Sequence, residues 1–257
     1  MKNVFKKFGF TLAEVLIAVG IIGTIAAMTI PTLKKSYEEH VFESRAKATY
    51  NHLQQAVALS KYAGDRFIPT DITPAVVKNF YEKYFKNTLK VTMFCKDMTS
   101  SGTKCWGERR EDQDGQGNYS IYVIPGIDGK GAIMTSSDSG VSFRMDSGAE
   151  ARIAIHGARE QNPIMFGAKL IDNYRGNNVL YVLFDSNGGA NEPNALGYDI
   201  YVLVWNGVEL VPAGSNATAV QVAKNCNLDT TGGFGLRGAF CLQYMIDNGW
   251  RINKDLF

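Results

Sequence analysis

From Phe10 to Ile30 the chain reads FTLAEVLIAVGIIGTIAAMTI, apolar except for three threonines and one carboxylate, Glu14. No other feature restricts the fold as much. As a helix rising about 1.5 Å per residue, the run covers the roughly 30 Å of a bilayer core. A charged side chain near one end of such a run costs roughly 2 to 3 kcal/mol on insertion scales, so Glu14 needs a partner. Lys2, Lys6 and Lys7 precede the run like the basic start of a secretory signal or anchor. The run is nevertheless longer than an ordinary signal core, and no A-x-A-like site leads from it into a polar chain. Instead, beyond Pro31, the residues Phe42, Ala46, Tyr50, Leu53 and Val57 recur at spacings of three and four with polar residues between them. That spacing predicts an amphipathic helix continuous with the apolar run, bent gently at Pro31 and ended by the breaker Ala63-Gly64-Asp65.

The rest of the chain reads as a globular head. With 45% hydrophobic and 20% charged residues in 257, and no repeat or low-complexity tract, the composition excludes a disordered chain. Thr73 as N-cap and Pro74 at the first helical position predict a short helix that buries Val77, Phe80, Tyr81 and Tyr84. NYSIYVIPG, KGAIMT, NVLYVLFDSN and GYDIYVLVW are β-branched or aromatic runs bounded by turn residues, and the last two are expected to be adjacent antiparallel strands. The formal charge of +2 sets 27 basic against 25 acidic side chains, and three of the basic ones precede the apolar run. Without them the balance is acidic, so nucleic acid is not indicated as a partner.

Motifs for chemistry are sparse. Gly233, Gly235 and Gly238 form a literal G-x-G-x-x-G, but no strand precedes it and no βαβ unit surrounds it. No G-x-S-x-G, H-E-x-x-H or P-loop occurs, and no acid-base pair stands out, so the chain is expected not to be an enzyme. The cysteines fall into two close sets, Cys95 with Cys105 and Cys226 with Cys241, neither with C-x-x-C spacing, and the histidines are scattered. Zinc is therefore not expected, and disulfides are. Local pairing would close loops worth about 3 kcal/mol each, although four cysteines allow three pairings. The stretch FDSNGGANEPNALGYD gathers Asp185, Asn187, Glu192, Asn194 and Asp199, hard oxygen donors in a glycine-rich loop of the kind that suits calcium. It is no EF-hand, because Ala190 and Leu196 occupy the positions where that loop needs glycine and glutamate. The simpler reading is a hairpin connection held by Asx turns. A second acidic loop, Glu111 to Asn118, reads as a turn.

The start of the chain resembles the type IV pilin and type II secretion pseudopilin family. The resemblance is carried by a short basic leader ending in Gly9, then Phe10, Thr11, Leu12, Glu14 and the unbroken apolar run. It implies that a prepilin peptidase of the inner membrane cuts between Gly9 and Phe10 and methylates the new amino terminus. It further implies a leader of residues 1–9, a long helix over 10–63 with its membrane-spanning part at 10–30, and an extracytoplasmic head over 64–257. The expected fold is α+β, with the long helix packed on an antiparallel sheet. The processed subunit would leave the inner membrane through an assembly platform and self-associate with similar subunits into a fibre. There the Phe10 ammonium would meet Glu14 of a neighbour, each offsetting the burial of the other. Cys226 and Cys241 resemble the C-terminal disulfide loop of many pilins. The stretch from Asp185 to Asp199 loosely resembles a D-x-N-G, P-N, G-x-D pattern in pilin-like heads, some of which hold calcium there. Three function classes follow: a structural fibre subunit, a minor pilin with a binding head at a fibre tip, and an anchored extracytoplasmic enzyme. The first is the preferred reading.

Overall fold

The computed structural model describes residues 11–60, 67–69, 71–95, 121–125, 131–136, 140–156, 167–168, 170, 178–191, 193–226 and 238–252. The chain divides into two compact units, Met1–Val41 and Phe42–Phe257. Helix α1 (Leu12–Ser60) contributes to both, with Pro31 in its interior.

In the first unit α1 presents Leu12, Leu16, Ile22 and Met28 at its surface. Its most apolar stretch has a mean hydropathy of 2.1 with none of it buried, so the helix is long and apolar enough to cross a membrane. The hydroxyls within that stretch are accounted for: Thr24 Oγ1 donates to the Ile21 carbonyl (2.8 Å) and Thr29 Oγ1 to that of Ile25 (3.0 Å). A threonine that returns its hydroxyl to its own helix adds little polar cost in apolar surroundings.

In the second unit the residues of α1 change character. Of the stripe expected from sequence, Ala46, Leu53 and Val57 are buried, while Phe42 and Tyr50 are half-buried. Helix α2 (Pro74–Tyr84) buries the four residues expected of it, Val77, Phe80, Tyr81 and Tyr84. Thr73 stands at the N-cap with extended backbone, yet its side chain makes no capping bond. Pro74 at the first helical position supplies the start instead, through its fixed φ. Ser60 Oγ donates to the Tyr84 carbonyl (2.7 Å), joining the ends of the two helices.

Among the described residues eight strands follow, β1 (Val91–Cys95), β2 (Ile121–Pro125), β3 (Gly131–Ser136), β4 (Val141–Met145), β5 (Glu150–His156), β6 (Val179–Asp185), β7 (Ile200–Trp205) and β8 (Leu210–Pro212). Six form one antiparallel sheet in the order β1-β4-β5-β6-β7-β8, and β2 pairs with β3 in a separate antiparallel ribbon. The architecture is α+β. The expected β6–β7 pair is present, with Val182 opposite Leu203. Both strands are buried on both faces, and their period of two assigns each residue to one side. Leu180, Val182, Phe184, Tyr201, Leu203 and Trp205 join the core made with α1 and α2. Val179, Tyr181, Leu183, Ile200, Val202 and Val204 face a second core with Val222 and Phe240. Trp205 centres the first core, edge-on to Phe80 with ring centroids 5.0 Å apart, and its Nε1 donates to the Phe67 carbonyl (2.7 Å). Helices α3 (Ala219–Asn225) and α4 (Cys241–Asp247) close the second unit.

Candidate functional site

The residues singled out in the sequence fall at two places, the start of α1 and the loop between β6 and β7. At the first, Gly9 and Phe10 lie outside the described residues. Glu14 is the third residue of α1, and Thr11 is its cap. The Thr11 backbone N–H and hydroxyl both donate to Glu14 Oε2 (2.8 Å each), and the Glu14 N–H donates back to Thr11 Oγ1 (3.2 Å). This is a reciprocal capping box, which satisfies two of the amide donors that a helix start leaves open. Within the chain, then, Glu14 already has a polar partner. T-x-x-E ahead of an apolar run is a sequence signal for that arrangement.

At the second place, β6 ends at Asp185 and β7 begins at Ile200, so register alone brings Asp185 and Asp199 to the same end of the sheet. Both carboxylates are fully buried. Asp185 Oδ1 accepts the backbone N–H groups of Asn187 (3.0 Å) and Gly188 (2.9 Å), the geometry of an Asx turn. Asp199 Oδ1 accepts from Ala195 N (2.7 Å), and its Oδ2 accepts from Asn194 N (2.9 Å) and Asn187 Nδ2 (3.1 Å). Asn194 is held at φ 50° and Gly188 at φ 80°. Glycine is required at 188 for space as well, since a Cβ there would stand 2.5 Å from the Gly148 carbonyl oxygen.

Asp199 uses both of its oxygens in these bonds, whereas Asp185 uses only Oδ1. Asp185 Oδ2, Ser186 Oγ and Asn194 Oδ1 are buried with no hydrogen-bond partner. A buried oxygen without a donor costs about 1 to 3 kcal/mol, so three in one loop call for a water, another proton donor or a cation. Carboxylate and amide carbonyl oxygens are hard donors of the class that calcium takes, and here three of the four carboxylate oxygens already accept N–H bonds. Among the described residues no three His, Cys, Asp or Glu side chains converge on one point, so the neutral oxygens have to complete any such set. Glu192 lies outside the described residues.

Burial dominates the electrostatics of the two carboxyls. Burial, and after it the charge of Asp199, push the Asp185 carboxyl well above the ordinary range. Burial pushes Asp199 up to about 6, against the N–H bonds from Ala195 and Asn194 that favour its charged form. Raised acid values mean that folding favours the protonated forms. The stability this gives is full below the unfolded value of 3.8 and is lost as pH rises through about 6. In chelator-treated protein the unfolding free energy is therefore expected to fall between about pH 4 and pH 7, by on the order of 3 kcal/mol for a two-unit shift. Urea titrations across that range check it, and a flat or rising profile would rule out carboxyls held protonated.

Sequence reasoning did not find Glu150, buried on β5 directly opposite Asp185 and gripped by Arg144, whose Nε (2.9 Å) and Nη2 (2.5 Å) both donate to Glu150 Oε1. Only the strand register brings it there, and no local motif announces it. Cys226 and Cys241 are joined as a disulfide. Cys95 is disulfide-bonded, and Cys105 lies outside the described residues. No family model, curated protein or solved structure matches the chain.

Proposed function

We propose that the chain is a structural subunit of a type IV pilus or a type II secretion pseudopilus. A prepilin peptidase cuts between Gly9 and Phe10 and methylates Phe10. The processed subunit waits in the inner membrane with its head on the extracytoplasmic side, then passes through an assembly platform into a helical fibre packed through α1. The observation that carries this reading is the exposed apolar half of α1, with its single carboxylate, Glu14, in the first turn behind a Gly9-Phe10 junction. A carboxylate at that depth is costly unless a cation meets it, and the processed Phe10 ammonium of a neighbouring subunit is the cation this chemistry supplies. In the head, Asp185, Asn187, Asn194 and Asp199 would hold calcium. Its charge would relieve the repulsion between two buried carboxylates and give the unpartnered oxygens a ligand.

The test is mass spectrometry of the subunit recovered from sheared fibres and from membranes. The expected amino terminus is N-methyl-Phe10. A terminus at Met1, or a cut beyond Pro31, would overturn the proposal.

A further inference from the structure

The loop that carries Asp199 does not stand on its own hydrogen bonds alone. Its tip, Leu196-Gly197, lies flush against the segment that leads into Cys241. A Cβ added to Gly197 would fall 2.7 Å from Gly238 Cα and 2.8 Å from Cys241 Sγ, and a Cβ added to Gly238 would strike the Leu196 carbonyl. Both glycines sit at positive φ, 88° and 91°. From the other side, the Gly238 N–H donates to the Asn225 carbonyl (2.9 Å), next to Cys226. The disulfide thus joins the end of α3 to the start of α4, both cysteines being fully buried, and Gly238 is caught between that bond and the acidic loop. Ala195, whose N–H holds Asp199 Oδ1, immediately precedes the pinned Leu196.

We infer that the Cys226–Cys241 disulfide is a lock on the Asp185/Asp199 loop, so that the loop takes up calcium tightly only once this bond has closed. The inference rests on the calcium reading of the loop. Phe240 packs against Gly167 and Gly214, contacts that do not involve the disulfide, so a chain still holding both thiols is expected to keep them while the Gly238 abutment loosens. Asn194, Ala195 and Asp199 then hold the donor oxygens less rigidly, and a flexible set of hard ligands binds the ion less well. Opening the lock is a two-electron step: a dithiol reductant gives two electrons and two protons, the Sγ–Sγ bond becomes two thiols, and the dithiol becomes its own disulfide. By linkage, calcium must favour the closed bond by the factor by which the closed bond favours calcium. In an oxidising compartment the bond forms first and the ion follows.

Calorimetric titration of calcium into the detergent-solubilised, chelator-stripped full chain tests this. The oxidised chain is expected to bind. Cys226→Ser/Cys241→Ser, and Gly238→Ala with the disulfide intact, are each expected to bind at least about tenfold more weakly. Should the double variant fail to fold, reciprocity decides: in a dithiol titration of the wild type read by thiol labelling at Cys226 and Cys241, calcium is expected to lower the midpoint potential by about 30 mV per tenfold of coupling. No calcium uptake by the oxidised chain would overturn the cation reading beneath the proposal. Equal uptake by all three chains, or equal midpoints with and without calcium, would overturn the lock and leave the cation reading in place.

Discussion

Glu14→Gln and Glu14→Leu are expected to give one result: processed subunit accumulates in the membrane and does not enter the fibre. The pair matters because it separates a duty that the structure shows from a duty that only the proposal assigns to Glu14. As the third residue of a capping box it closes the start of α1 on Thr11. As a charge it would meet the Phe10 ammonium of the next subunit. Glutamine preserves the first duty, since an amide oxygen accepts the same bond, and removes the second. Leucine removes both. Neither change touches Gly9, and both make the apolar run easier to insert, so cleavage and membrane residence should persist. Leaving one member of a buried ion pair without its partner costs about 3 to 5 kcal/mol, a loss of roughly a hundredfold or more in the chance of adding each subunit. Thr11→Val is the converse, a lost cap worth about 1 kcal/mol with the charge kept, and it should still assemble. The quantity to measure is the ratio of fibre-associated to membrane-resident processed subunit, in cells lacking the wild-type copy. If Glu14→Gln assembles like wild type, the cap alone explains Glu14 and the pairing is wrong.

The sequence made some parts of this fold legible and hid others for identifiable reasons. Helix α1 was readable because two periodicities meet at Pro31, and α2 because Thr73-Pro74 precedes an aromatic stripe. Strands β6 and β7 are unbroken β-branched and aromatic runs, as strands buried on both faces must be. Strands β4 and β5 carry Ser142, Glu150 and Arg152, all buried, so their polar content concealed them. What makes these side chains tolerable inside is register: Arg144 reaches Glu150, and Arg152 Nη1 donates to Ser142 Oγ (3.1 Å). Helix α3 is a single turn or two, yet it had a local signal in Thr218 and Gln221, which form a complete capping box. The glycine run discounted as a nucleotide motif has a packing reason at Gly238, pressed on Leu196; Gly233 and Gly235 lie outside the described residues. Asp185, Asn187 and Asp199 could be picked out together because one hairpin connection carries them all, and hydrogen bonds join them there, whereas Glu150 comes from a different strand.

Two substitutions in that loop are expected to move stability in opposite directions, and the contrast separates charge from hydrogen bonding. Asp199→Ala leaves the buried Ala195 N–H and the half-buried Asn194 N–H without an acceptor. At about 1 to 3 kcal/mol for each orphaned donor, the loss should reach about 3 kcal/mol or more. Asp185→Asn keeps an oxygen for the Asn187 and Gly188 N–H groups and exchanges the unpartnered Oδ2 for a neutral amide. With chelator present, it removes a carboxyl whose ionisation burial and Asp199 both oppose, so above the pH at which wild type begins to lose stability the variant should be the more stable. Calcium should reverse the order. Binding adds RT ln(1 + [L]/Kd), about 2.7 kcal/mol at a hundred times Kd, and only the chain that keeps both carboxylates collects it in full. Urea denaturation of the two variants and wild type, each with chelator and with calcium, reads out all of this. If calcium leaves the wild type unmoved while Asp199→Ala still collapses, Asp199 is a hydrogen-bonding brace and the loop an Asx-turn connection. If Asp185→Asn is destabilised in chelator, the charge of Asp185 has a protein partner, and the case for a cation there fails.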